Sequence, residues 1–382
     1  MSFELALALA GAASVLAWVV IACRPARSWD LRPAAEDEPP PPEPQAWPRV
    51  CVLVPAHNEQ SYVPRTLPHL LAQDYQGAWE VVLIDDRSDD GTADVARTLG
   101  GERVTVLRGK PLPRRWAGKV WALAQGAQLA ADAKYVLLTD ADIRHAPDSL
   151  RRLVAESEAS GLALNSRMAR LRTASPAERL LIPPFLFFFN LLYPMRRVNG
   201  AGPTAAAAGG CVLISAAALW RIGGFGAIAG EVIDDVNLAL AVKRQGERIR
   251  LSVSRRDVSS VREYETIGPI WRMVRRSAFD QLGYSWLLLA GTVAGLALLF
   301  LVPPGVMVIA VAGAGFAAGW RVALATIGAA GWAVMTLLFL PTVRLLGVRA
   351  LWALSFPLGG LLYGAMAVDS AIRHAAGRPA RW

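Results

Sequence analysis

Val136-Leu137-Leu138-Thr139-Asp140-Ala141-Asp142 decides how this chain is read. An apolar run suited to a buried strand ends in two acids spaced i, i+2. In open α/β sheets ligands bind outside the carboxyl ends of strands. Two carboxylates there can hold a divalent cation through hard oxygen ligands, and that cation can hold phosphates. Such a pair also occurs on ordinary loops, so its weight comes from the charged stations at matching places elsewhere.

Working outward, Val50-Cys51-Val52-Leu53-Val54 is a short buried-type strand closed by Pro55. Glu80 to Ile84 is a second strand, ending at Asp85-Asp86, and Val104 to Leu107 a third; Tyr135 to Thr139 is the fourth. Tyr62–Gln73, Thr92–Leu99 and Lys119–Ala131 carry helical patterns between them. Continuous apolar strands separated by helices predict an α/β domain: a mostly parallel sheet covered by helices on both faces.

The ends of the chain differ in kind. Of 382 residues 54% are hydrophobic and 19% charged, and the apolar excess is concentrated in segments. Phe3 to Cys23 is almost wholly apolar, preceded by no positive charge and followed by Arg24, Arg27 and Arg32. A cleaved signal peptide has the opposite polarity. The pattern predicts an uncleaved anchor with the following chain in the cytoplasm. The proline-rich run through Pro39-Pro40-Pro41-Pro42 predicts an extended linker. No charged residue occurs from Leu282 to Trp320. With Pro303-Pro304 read as a divider, and Val322–Val343 and Ala350–Val368 following, about four C-terminal helices are expected, with three and a re-entrant piece as the alternative. Arg373, Arg378 and Arg381 place a basic tail on the cytoplasmic side; Arg344 and Arg349 then fall outside, in mild conflict with the rule. The stretch Leu180–Tyr193 is too short and proline-broken to span; packed core and a membrane-facing flap are equal readings of it.

The net charge of +9 suits an anionic membrane surface or a phosphate-bearing substrate. No zinc-finger, RNA-binding or basic-aromatic pattern points to nucleic acid. Cys23, Cys51 and Cys211 form no Cys-x-x-Cys, which argues against a metal cage or disulfide framework.

Five stations carry the chemistry. Asp85 and Asp86 open the acidic turn Asp85 to Thr92, where a carboxylate can accept from a base or ribose hydroxyl; Asp89 or Asp90 is placed to cap the next helix. Lys119, after Gly118 at a helix head, can neutralise phosphate oxygens or be an ordinary surface lysine. Asp140 and Asp142 are the third station. Asp234 and Asp235 begin a helix pattern, Val236–Gln245, as caps or as a general base on an acceptor hydroxyl. Arg272, Arg275 and Arg276 stand at the bilayer boundary, for lipid headgroups or for a leaving diphosphate. Gly209-Gly210 and Gly223-Gly224 offer close backbone approach or tight turns.

With Val54-Pro55-Ala56-His57-Asn58-Glu59 added, these stations resemble, in order and spacing, the family 2 glycosyltransferases, which have the GT-A fold. The resemblance covers roughly residues 48 to 280. The layout of one anchor before and several helices after looks like the ceramide glucosyltransferase type, and within it most like the hopene-associated glycosyltransferases. The resemblance implies that Asn58 and Glu59 lie by the nucleotide. Asp85 and Asp86 lie on its uracil or ribose side, and Lys119 at the phosphates. Asp142, with Asp140, ligates a divalent metal (Mg or Mn), and Asp140 also touches the sugar or ribose. Asp235 would be the catalytic base beside Asp234, and Arg272, Arg275 and Arg276 would meet the diphosphate. Where the family has tryptophan after its last arginine, this chain has Arg276.

The expected layout is an anchor at 1–24, a linker at 25–48, a cytoplasmic GT-A domain at 49–281, membrane helices at 282–369 and a basic tail at 370–382. The expected function is inverting transfer of one sugar from a nucleotide sugar, of the UDP type, to a lipid, possibly a hopanoid, at the inner membrane. A processive polysaccharide synthase and a non-catalytic nucleotide-sugar-binding scaffold are the alternatives.

Overall fold

A computed structural model describes residues 2–31, 34–313 and 315–377. Arg32 of the anchor's flank, Pro33 at the linker's start, and Arg378 and Arg381 of the tail lie outside the described residues. The chain divides into two compact units.

One unit, residues 34–172 and 195–263, carries nine strands: β1 Val50–Ala56, β2 Trp79–Asp85, β3 Val104–Arg108, β4 Tyr135–Thr139, β5 Ile143–His145, β6 Leu164–Met168, β7 Cys211–Ser215, β8 Ile249–Val253 and β9 Val258–Ser260. Seven form one sheet in the order β3-β2-β1-β4-β7-β6-β8; β5 and β9 pair separately. β1 and β4 are buried along their whole length, which is why they read as unbroken apolar runs. β1, β2, β3 and β4 are parallel, as is β6 with β8, while β7 runs antiparallel to both β4 and β6. The sheet is therefore mostly parallel.

Register sets the site. Ala56 stands opposite Asp85, and Leu53 opposite Leu138. The loops after β1, β2 and β4 therefore leave from one edge of the sheet. Antiparallel β7 adds a loop to that edge, because Cys211 at its start faces Thr139 at the end of β4. In the small sheet Ile143 faces Ser260, so the chain leaving β9 passes beside Asp142.

The other unit comprises residues 2–31, 173–194 and 264–377. It holds four helices long and apolar enough to cross a membrane: Phe3–Cys23, Trp286–Ala312, Ala318–Leu345 and Ala350–Ala375. Three, rather than about four, thus follow Leu282 among the described residues. Pro303 and Pro304 do not divide their span. A π-helical turn at Ala297–Leu301 precedes them, and they sit at the start of the next α-helical stretch. There a missing N–H costs least. Leu180–Leu192 lies within one helix, Pro176–Leu192, which Ser175 caps by accepting from Glu178 N–H and which ends at its C-cap Tyr193. Its Phe187 packs against Phe356, with ring centroids 4.9 Å apart, and against Phe339 and Trp18.

Candidate active site

The loop after β1 and the turn after β2 are stitched together. Asn58 N–H donates to Ser88 Oγ at 3.0 Å, and Asn58 Oδ1 accepts from Asp89 N–H at 3.0 Å. Asp85 Oδ1 accepts from Ser88 N–H, and Asp90 accepts from both Thr92 N–H and Gln60 N–H. Asp90 thus bonds the first N–H of the helix Thr92–Gly100, whose N-cap position is Gly91. Asn58 and Arg87 both adopt left-handed backbones, with φ of 58° and 56°. Such strain, roughly 1 kcal/mol or more per residue, concentrates at functional sites. Asp86 is buried, and its Oδ1 has no hydrogen-bond partner; the nearest cation, Arg87 Nε, is 3.7 Å away. A buried acceptor left open in this way suits a ligand donor.

Beyond β4 the chain turns at once, with Ile143 N–H donating to Asp140 O at 3.1 Å. His145 braces the turn, its Nε2 2.8 Å from Thr139 Oγ1. Burial drives its pKa down to about 4, so this imidazole is neutral and structural. The turn hands its two acids to different partners. Asp140 Oδ1 meets Lys119 Nζ at 2.8 Å. The same ammonium lies 3.4 Å from Asp234 Oδ2. Burial works against the Lys119 charge, but Asp140, Asp234 and Asp235 outweigh it and raise its pKa.

Asp235 completes this group. Its Oδ2 accepts from Gly209 N–H at 2.7 Å, and its Oδ1 from Val236 N–H at 2.8 Å. Burial, then the neighbouring Asp234 charge, push its pKa up to about 6. The resulting carboxylate is ionised at neutral pH yet basic enough to take a proton. Asp234, at the head of the helix Asp234–Arg244, makes no side-chain cap; it is turned to Lys119. A Cβ at Gly209 would lie 2.9 Å from Lys119 Nζ, the flexible end of that side chain. Gly223 and Gly224 instead make a tight turn, with φ of 94° and 65°.

Asp142 goes the other way. Its Oδ2 accepts from Ser260 Oγ and from Arg262 Nε, each at 2.9 Å. Arg262 also reaches Glu59 Oε1 at 2.6 Å and lies over the Tyr62 ring, 4.5 Å from its centroid. Burial raises the Glu59 pKa, with Arg262 opposing. Sequence reasoning missed Arg262, Ser260 and Tyr62. They carry no local motif, and only the β5–β9 pairing brings Ser260 and Arg262 to Asp142.

Arg272, Arg275 and Arg276 belong to the other unit, on the helix Ile267–Ser277. Arg272 and Arg276 are exposed, whereas Arg275 meets Asp369 at 3.3 Å, beside a 2.7 Å hydrogen bond from Trp271 Nε1 to the same oxygen.

Among the described residues no group of three or more His, Cys, Asp or Glu is arranged to hold a metal by itself. Asp140 and Asp142 still suit a divalent cation of the Mg²⁺ kind. Such a cation takes one or two carboxylates and fills its remaining positions with phosphate and water oxygens. Glu59 Oε2, buried without a hydrogen-bond partner beside them, is a further open oxygen.

The sequence profile of Glycosyl transferase family 2 matches residues 51–223, the stretch from β1 through β7 that carries these acids. Residues 51–223 are a family 2 glycosyl transferase domain. The chain is 28% identical over 112 residues to the undecaprenyl-phosphate 4-deoxy-4-formamido-L-arabinose transferase of Salmonella paratyphi A, covering 29% of this chain and 34% of that one. The enzyme of the same name from Aeromonas hydrophila is 32% identical over 128 residues, covering 33% and 38%. The chain thus spans about a third of these relatives' length. In fold it is similar to a mannosyltransferase from Pyrobaculum calidifontis solved with GDP-Man and Mn²⁺, with a TM-score of 0.56 and 22% identity, over 87% of this chain and 97% of that one.

Proposed function

We propose that this chain is a membrane-bound inverting glycosyltransferase that moves one sugar from a nucleotide-sugar donor, of the UDP type, to a lipid acceptor. The observation that carries this reading is Asp235. A carboxylate held by Gly209 N–H beside Lys119, with a pKa near 6, is poised to accept a proton at neutral pH. An acceptor hydroxyl needs that base. A lipid phosphate, already an anion, needs it less.

Asp235 takes the proton from the acceptor oxygen as that oxygen attacks the anomeric carbon, and the nucleoside diphosphate leaves from the opposite side. Configuration therefore inverts. Asp86, with Asp85 behind it, receives the base or ribose, and Asn58 and Glu59 line the same side. Asp142 and Asp140 would hold Mg²⁺ or Mn²⁺, which when bound supplies charge stabilisation of the leaving diphosphate. Lys119 adds a fixed positive charge there, and Asp234 orients it. Arg272, Arg275 and Arg276 are proposed for the diphosphate on the family resemblance alone.

Two acceptor classes are favoured by different observations. The basicity of Asp235 favours a lipid hydroxyl, such as that of a hopanoid. The two relatives from Salmonella and Aeromonas act, by their names, with undecaprenyl phosphate. The arginines that follow the first apolar helix support a location in the inner membrane with the transferase domain facing the cytoplasm. The test is a panel of UDP-sugars offered to detergent-purified protein with Mg²⁺ or Mn²⁺, with hopanoid and undecaprenyl phosphate acceptors, read by mass spectrometry. A lipid heavier by one sugar is expected, and the acceptor that gains it identifies the class. A growing polymer or no sugar-bearing lipid from either acceptor would overturn the reading.

A further inference from the structure

Arg262 already occupies, with its guanidinium, the place beside Asp142 where a divalent cation would act. Its Nε and one terminal nitrogen fork between Asp142 Oδ2 and Glu59 Oε1, at 2.9 and 2.6 Å. The two acids are sheltered, with side chains only 11% exposed each, whereas the arginine is 31% exposed. Two sheltered carboxylates repel unless a cation stands between them. The guanidinium is that cation, and burial's cost to its charge is more than offset by Asp142 and Glu59, which raise its pKa.

We propose that Arg262 is a resident cation guarding Asp142 and Glu59, and that a divalent metal binds at Asp142 by displacing it. This rests on the metal assignment above. Asp142 Oδ2 already accepts two hydrogen bonds, from Ser260 and Arg262. A doubly charged ion and a guanidinium cannot share that oxygen without strong repulsion. The partly exposed arginine is the group free to move, and Glu59 Oε2, buried without a hydrogen-bond partner, is an oxygen ready for the newcomer. Displacement costs an ion pair unless new negative charge arrives with the metal, and a nucleoside diphosphate brings that charge. Metal and nucleotide therefore bind as a coupled pair, each weak without the other.

The test is Mn²⁺ titration of the full-length protein in detergent, followed by electron paramagnetic resonance, with and without UDP. Arg262→Gln removes the competing charge and is expected to tighten Mn²⁺ binding to nucleotide-free protein about tenfold, roughly 1.4 kcal/mol. It should also shrink the gain that UDP gives. Arg262→Lys keeps the charge but cannot fork to both acids, so it should fall between wild type and Arg262→Gln, and it serves if the glutamine variant does not fold. If the folded variants bind Mn²⁺ no more tightly than wild type while Asp142→Asn abolishes binding, the guarding role is wrong and the metal site stands. If no protein binds Mn²⁺ even with UDP, the metal assignment and this inference fall together.

Discussion

Asp140 and Asp142 are one residue apart and have opposite surroundings. Asp140 joins a group of three carboxylates around one ammonium, Lys119, with the backbone of Gly209 pressed against it. Asp142 joins a pair of carboxylates around one guanidinium, Arg262. The difference arises because the strand ends at Thr139 and the acids lie in a turn rather than on a strand face. A spacing of i, i+2 would place them on one face only if the strand continued. The first group has too much negative charge for its one cation, and burial first, then the neighbouring Asp234 charge, raise the pKa of Asp235. The second has one excess negative charge, and its guanidinium is 31% exposed between two acids exposed to only 11%. On the proposed function, the first group holds the base and the second exchanges a cation.

The largest break in this comparison should come from Lys119→Met. Without the ammonium, Asp140, Asp234 and Asp235 face one another uncompensated. Loss of about 2 kcal/mol is expected, visible as a lower melting temperature in detergent, together with loss of transfer by about 10³-fold. If the melting temperature does not fall, the cluster is looser than described.

The pH dependence sharpens the comparison without a mutation. Transfer should fall as pH drops through about 6, with a slope of one proton, as Asp235 is protonated. The stability sign is opposite. A carboxyl whose folded pKa is raised favours folding below its ordinary value, and that contribution is lost as pH rises through about 6. The Asp235 site should therefore be least stable where the base is active. A pH–rate profile and melting curves between pH 4 and 8 would show two trends of opposite direction.

Gly209→Ala is the mildest test. Its new Cβ would sit 2.9 Å from Lys119 Nζ, the flexible end of a side chain that can give way. Stability should change by less than about 1 kcal/mol, while transfer drops roughly tenfold as Lys119 and Asp235 lose register. Unchanged turnover would mean that the Gly209 contact does not position the base.

The parallel half of the sheet was legible because β1 and β4 are buried along their whole length and β2 from Val81 onward, with β2 and β4 running into acids. The half beyond β4 was not. β6 reads Leu164-Asn165-Ser166-Arg167-Met168, a polar run buried because Arg167 pairs with Glu156 and Asn165 bonds the same acid. No periodicity announces such a strand. In the site, Asp235 and Lys119 were legible as stations, but their meeting with Asp140 across the β4–β7 register was not. Arg262 was hidden for the same reason, with 120 residues of chain between it and Asp142. The prolines at 303 and 304 misled in the other direction, since a helix can start at proline as readily as end there.

The central claim is that Asp235 removes the acceptor's proton, and Asp235→Asn tests it most directly. Wild type and variant would be compared side by side in detergent with Mn²⁺, a UDP-sugar and lipid acceptor. Glycolipid would be measured by mass spectrometry and UDP affinity by calorimetry. Transfer should fall by about 10³-fold or more, with UDP affinity within a few-fold of wild type and a melting temperature equal or higher. Glycolipid formed by the asparagine variant at near the wild-type rate would contradict the account.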